Sequence, residues 1–148
     1  MTEAAELIKL YSARILALAA DIPHHGRLEA PQASVRKRSP LCGSTVTVDL
    51  DLTDGRVSRF GQDVKACALG QAAAAVLGCA VLGRSADELA RLATELEAML
   101  KSEGPVPAAP FDGYETLTPA REFRNRHASI LLAAQAAAEA ARQAEAAA

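Results

Sequence analysis

Cysteine is scarce in this chain: Cys42, Cys67 and Cys79 are the three that occur, and an odd set cannot close a disulfide framework. Net charge is scarce too. At −2 over 148 residues there is no field that would demand bare DNA or an anionic membrane as partner. CxxC, HExxH, P-loop and GxSxG patterns are all missing, so none of those signatures competes for the chemistry. The opening stretch, MTEAAELIKL, carries glutamates where a secretory signal would be basic and then apolar. With unpaired thiols, the expectation is a reducing, cytoplasmic setting. One uncharged stretch, ACALGQAAAAVLGCAVLG at 66–83, is long enough to raise the question of a membrane span. It is rich in alanine and glycine, which contribute little transfer free energy, so the expectation is a buried helix in tight contact with its neighbours.

What is present reads as one domain, 1–148, long enough to bury a core without disulfides or a structural metal. Leu7, Leu10, Tyr11, Ile15 and Leu18 make one apolar face of a helix over 4–20, which Pro23 and Gly26 end. Three short strands follow at 34–39, 44–52 and 56–61. In the middle one Val46, Val48, Leu50 and Leu52 alternate with Thr45, Thr47, Asp49 and Asp51, predicting one buried and one wet face. Asp54-Gly55 supplies the hairpin turn after it. From Cys67 the pattern is helical. Ser85 with Glu88 is a capping-box signature for a helix over 86–101. A proline-rich connection over 102–119 is expected to be a functional or mobile loop, and an alanine-rich helix over 120–145 closes the chain. No internal repeat is visible. The fold class is α+β, a three-stranded, mainly antiparallel sheet packed against four to five helices, with the site at one end.

Two cysteines sit at ends of elements. Cys42 lies in SPLCGSTV between a proline turn and the glycine that opens the middle strand, and Cys67 lies where the third strand gives way to a helix. Unpaired amides in a helix's first turn favour a thiolate there, and Lys65 and the RKR run at 36–38 push the same way. His127, behind Arg124 and Arg126, is a third candidate ligand of suitable softness. Each has a plainer alternative: Cys67 as a small hydrophobe opening a buried helix, and His127 as a partly exposed helix residue. Cys79 is read as packing, His24 and His25 as turn or surface residues, and the RKR run as solvated edge-strand charge.

SPLCGSTVTVDLDLTDGRVSRF, then ACALGQAAAA, then RNRHASILLA, together resemble the IscU, SufU and NifU N-terminal iron-sulfur cluster scaffolds, from LYSARIL to about residue 135. Ser39-Pro40-Leu41-Cys42-Gly43 matches the N-P-x-C-G-D motif, and Ala66-Cys67-Ala68 with the small residues to Ala75 matches G-C-A-x-S-x-A-S-A-S. The long connection before the last helix is similar in length to that of SufU-type members. Ser44 stands where the family has aspartate, and Ala128 where it has a third cysteine; His127 takes the histidine position of IscU-type members. GQDVKA between Phe60 and Cys67 is two residues longer than the family's approach, which makes Asp63 a candidate to replace the missing carboxylate. The proline-proline-valine-lysine chaperone segment of IscU-type scaffolds is replaced by LTPAREFRNR.

The resemblance implies a scaffold that gathers iron and sulfide, holds a cluster and releases it, so its ligands belong on partly exposed loops. Cys42, Cys67 and His127 would hold a 2Fe-2S cluster or zinc, the open position going to Asp63, Ser44, water or a partner's thiol. Implied partners are a cysteine desulfurase and iron-sulfur acceptor proteins, with a second copy of the chain as a further candidate and neither nucleic acid nor membrane. The protein is then not an enzyme. Two rival readings remain: a degenerate paralogue that binds no cluster and acts as an interaction module of the assembly machinery, and a thiol enzyme with Cys67 as nucleophile and His127 as base.

Overall fold

The computed structural model describes residues 12–40 and 43–147. Leu7, Leu10, Tyr11 and Cys42 therefore lie outside the described residues. Helix α1, Ala13–Ala20, starts at Ser12, whose Oγ accepts from the Ile15 amide at 3.3 Å, the usual way to satisfy one orphan amide of a first turn. Ile15 is fully buried and Leu18 packs against the same core.

Strands β1 (Ala33–Arg38), β2 (Thr45–Thr53) and β3 (Arg56–Lys65) form an antiparallel sheet in the order β1-β2-β3. Asp54 (φ 53°) and Gly55 (φ 76°) both take the left-handed conformation, as the tightest hairpin turns require. Alternation puts Val35, Val46, Val48, Leu50 and Val64 on the inner face. Two details depart from the sequence reading. β3 runs on to Lys65 instead of stopping at Gly61, because Gln62 anchors it on both sides: its backbone bonds Gly26 and His24, and its side-chain Nε2 donates to Ala74 O at 2.9 Å. Asp49, expected on the wet face, is 0% exposed. The 21–32 segment folds across that half of the outer face. Its Arg27 Nε donates to Asp49 Oδ2 at 2.6 Å and the Leu28 amide donates to the same oxygen at 3.0 Å. Ser34 Oγ adds a bond to Oδ1 at 2.6 Å. Burial alone would raise the Asp49 carboxyl pKa; these donors outweigh it and hold it below the usual carboxylate value.

Helices α2 (Ala68–Ala80), α3 (Ala86–Lys101) and α4 (Arg124–Ala147) lie on the inner side, α4 directly on the sheet and α2 and α3 against α4. α3 begins at the predicted residue with the complete capping box, Ser85 Oγ accepting from Glu88 N and the Glu88 carboxylate from Ser85 N. α4 packs on β1, β2, α2 and α3 and so runs through the centre of the fold. Ala72, Ala73 and Ala74 of α2 and Ala133, Ala134, Ala136 and Ala137 of α4 are all buried in one core. Side chains this small let helix backbones come close, which explains the alanine run without a membrane. No helix among the described residues is long and apolar enough to cross one. Cys79 corrects another expectation. It is exposed, on the rim of α2.

The expected 102–119 loop is partly built. Asp112–Glu122 forms a 3-10 segment that buries Tyr114 and Leu117 completely. Arg121 ties it to the end of α3, donating to Met99 O and Gly104 O, both at 2.7 Å. The first of these satisfies a carbonyl that the last turn of α3 leaves open. The last helix accordingly starts at Arg124, after the 3-10 turns, rather than at residue 120.

Candidate functional site

At one end of the sheet three elements converge. Cys67 is the residue that precedes the first turn of α2, in extended conformation, and its side chain makes no capping bond. It is half-buried, packed against the core on the helix side. Its Sγ lies 3.6 Å from Ser129 Oγ of α4, and Ser129 Oγ donates to Ser44 Oγ at 3.1 Å. Ser129 and Ser44 are 1% and 4% exposed. A hydroxyl has one proton, so with that proton on Ser44 the Cys67 thiol is left to donate to Ser129. The two hydroxyls can reverse and donate to a thiolate instead. Such a short buried chain links the sulfur to the start of β2.

Gly70 makes this approach possible. A β-carbon there would lie 2.6 Å from Ser129 Oγ and 2.8 Å from Ala66 Cβ. Ser129 carries no sequence motif of its own; the available signal was a lone small polar residue inside the apolar run HASILLAA, opposite a glycine in ACALG.

The described residues on either side of positions 41 and 42 are pinned to each other. Gly43 N donates to Ser39 O at 3.0 Å and Ser39 N to Ser44 O at 2.8 Å, with Ser39 fully buried and Gly43 at φ +71°. Positive φ is where glycine is at ease and other residues are not. Ser44, next to Gly43, bonds Ser129, so these flanking residues stand beside the Cys67 corner.

The other sequence-based candidates stand elsewhere. His127 is buried, and its Nε2 is 2.9 Å from Ala120 O and 3.1 Å from Arg121 O. Carbonyls only accept, so Nε2 carries a proton, and in the neutral ring Nδ1 is then the nitrogen with the lone pair. Along a helix, positions 127 and 129 point about 200° apart, and His127 lines a cleft of about 640 Å³ with Leu100, Lys101, Arg121 and Arg124. The structure thus joins Cys67 to Ser129 and Ser44 and sets His127 on another side of α4. Asp63 pairs with Thr47 in the β2–β3 ladder and lines the outer face of the sheet with Arg27 and Lys65, away from the helix side where Cys67 packs. Among the described residues no group of three His, Cys, Asp or Glu side chains is close enough to share a metal.

No family model and no curated protein matches the chain. Solved structures do. The chain is similar to a nitrogen-fixing NifU-like protein (N-terminal) from Brucella abortus, with 42% identity and a TM-score of 0.92 over 95% of this chain and 98% of that one. A hypothetical protein solved at 2.3 Å is similar at 23% identity and TM-score 0.78, over 91% of this chain and 98% of that one. An iron-sulfur cluster assembly scaffold protein for the SUF system from Fervidobacterium islandicum AW-1 is similar at 18% identity and TM-score 0.79, over 90% and 98%. The latter two speak for the fold alone. At 42% identity across nearly its whole length, the chain belongs to the NifU-like N-terminal family, the IscU/SufU/NifU-like group that its motifs resemble.

Proposed function

We propose that this protein is an iron-sulfur cluster assembly scaffold in a reducing cytosol, with Cys42 and Cys67 as its thiolate ligands and His127 as the imidazole. The observation that carries the reading is the placement of Cys67. It sits half-buried at the start of α2, where no side chain caps the helix, with its sulfur against Ser129 Oγ and, through it, linked to Ser44, two residues after Cys42 in the chain. A scaffold's ligands must be reachable by a donor and an acceptor, and a helix start with free amides favours a bound anionic sulfur. Two thiolates and an imidazole suit a 2Fe-2S cluster or zinc as cargo, with the open position taken by water or a partner's thiol. Nε2–H bonded to carbonyls is the arrangement that leaves Nδ1 as a donor atom; His127 would join only with a turn of the first residues of α4.

A cysteine desulfurase would supply sulfur as a persulfide. The thiolate of Cys42 or Cys67 attacks the outer sulfur, the sulfur-sulfur bond breaks, and the donor leaves as its own cysteine thiolate, with no net oxidation. Iron-sulfur acceptor proteins would then take the cargo. In this scheme the chain holds and hands over; it is not a catalyst.

Metal analysis of protein purified without oxygen tests the reading. Wild type should retain zinc or iron, and Cys42→Ala and Cys67→Ala should each lose it, with His127→Ala showing whether the imidazole joins. Equally little metal in wild type and both cysteine variants would instead favour the degenerate interaction module. One observation leans that way: Ser44, in the aspartate slot, is buried and committed to Ser129.

A further inference from the structure

The outer face of the sheet is covered at one end by the 21–32 segment and open at the other. Register places Arg36, Thr47 and Asp63 in one outward row, and Arg38, Thr45 and Lys65 in the next. Arg36, Arg38 and Lys65 are exposed, and among the described residues none of them has an ion pair. Other cations on or against the sheet do: Arg27 pairs with Asp49, Lys37 with Glu139, Arg56 with Glu88 and Arg59 with Asp51. Three cations against one carboxylate, Asp63, on two adjacent outward rows make a locally positive patch in a chain of net charge −2. A groove of about 370 Å³ runs between Arg27, Arg36, Thr45, Thr47, Asp63 and Lys65, so the row borders a concave surface with hydroxyls at its floor.

Its position gives it meaning. Lys65 is two residues before Cys67, Thr45 follows Ser44, and Arg38 precedes Ser39, which bonds Gly43 and Ser44. Arg126, also without an ion pair among the described residues, lies one helical turn before Ser129, on the same side of α4. Cations therefore flank the Cys67 corner from sheet and helix alike.

We infer that this open end of the outer sheet face is the docking surface for an acidic, extended segment of a partner protein that approaches the Cys67 corner. The inference rests on the exchange of cargo proposed above. Long cationic side chains around hydroxyls suit aspartate and glutamate carboxylates, and complementary charge sets orientation and encounter rate. Nucleic acid fits less well. None of the groove's lining residues is aromatic, so there is no stacking platform for bases.

The probe is a fluorescein-labelled decapeptide of alternating Glu and Ser, followed by anisotropy and by amide chemical shifts. Binding should weaken as salt rises, shifts should concentrate at 36, 38, 45, 47 and 65, and R36E/R38E/K65E should weaken it about tenfold or more. Unchanged affinity in that variant, or shifts spread over the molecule, would overturn the inference. So would competition by inorganic phosphate at equal concentration, which marks a small-anion site, or tighter binding of an RNA oligomer of equal charge. Zinc and iron content of R36E/R38E/K65E should match wild type. A loss of metal there would put the row in the metal site and overturn a separate docking face, whereas metal lost only in the cysteine variants bears on the scaffold reading alone.

Discussion

Substituting Gly70 by alanine puts the packing of the site to a quantitative test. The new β-carbon meets Ser129 Oγ at 2.6 Å, Ala66 Cβ at 2.8 Å and Ser129 O at 3.2 Å, against ordinary contact from 3.4 Å. Relief needs about 0.8 Å of movement between the start of α2 and the start of α4, and overpacking of this kind costs about 1–3 kcal/mol. Alanine's better helix propensity returns at most about 1 kcal/mol, and less so near a helix end. The net runs from about zero to a loss of about 3 kcal/mol, which in a chain of this size lowers the melting temperature by roughly 2–4 °C per kcal/mol. A double-mutant cycle then separates the clash from other effects. Ser129→Ala removes the oxygen at 2.6 Å but leaves Ala66 Cβ and the 129 carbonyl in place, so Gly70→Ala should cost less in that background. Thermal and urea unfolding of the four proteins is the assay. Strict additivity, or a Gly70→Ala variant that melts above wild type, would refute the claim that Gly70 is required by Ser129.

Other outcomes follow from parts away from the site. Ser85→Ala removes the capping-box oxygen from Glu88 N and should destabilise by about 1 kcal/mol in urea unfolding, with little change in metal content. Asp49, whose carboxyl is held below its usual value, adds stability that is fully present above its unfolded pKa of about 3.9 and is lost as pH falls through the lower folded value. Wild type should therefore weaken on acidification more steeply than Asp49→Asn, which at pH 7 should already be less stable by about 1–3 kcal/mol; parallel pH profiles would contradict this. Cys79, exposed where Cys67 is half-buried, should be alkylated by iodoacetamide before Cys67 in metal-free protein, as read by peptide mass, and Cys79→Ala should change stability by no more than about 0.5 kcal/mol.

Short-range chemistry was the legible part of the sequence. The Ser85–Glu88 box and the Asp54-Gly55 turn announce themselves within a few residues, and the α3 start and the β2–β3 hairpin came out where those signals put them. Side-chain alternation in β2 fixed the inner face correctly but failed at Asp49, since nothing local says that a segment 21–32 will fold over it and bring Arg27. The 3-10 segment hid behind prolines for a similar reason: its stability comes from burying Tyr114 and from Arg121 reaching Met99, both long-range contacts. At the site, motif spacing found Cys67 but not Ser129, because the contact depends on how close α2 and α4 come, which is set by Gly70 and the alanines. Helical phase separated His127 from its neighbour Ser129, and sequence proximity had hidden that difference.

Alanine has no rotamer to choose, so the interface between α2 and α4 freezes almost no side-chain freedom when it closes and offers almost none with which to absorb a change. The two helices meet there much as two rulers laid edge to edge. Any thickening anywhere along that edge is read out at its end, as distance between a sulfur and a hydroxyl.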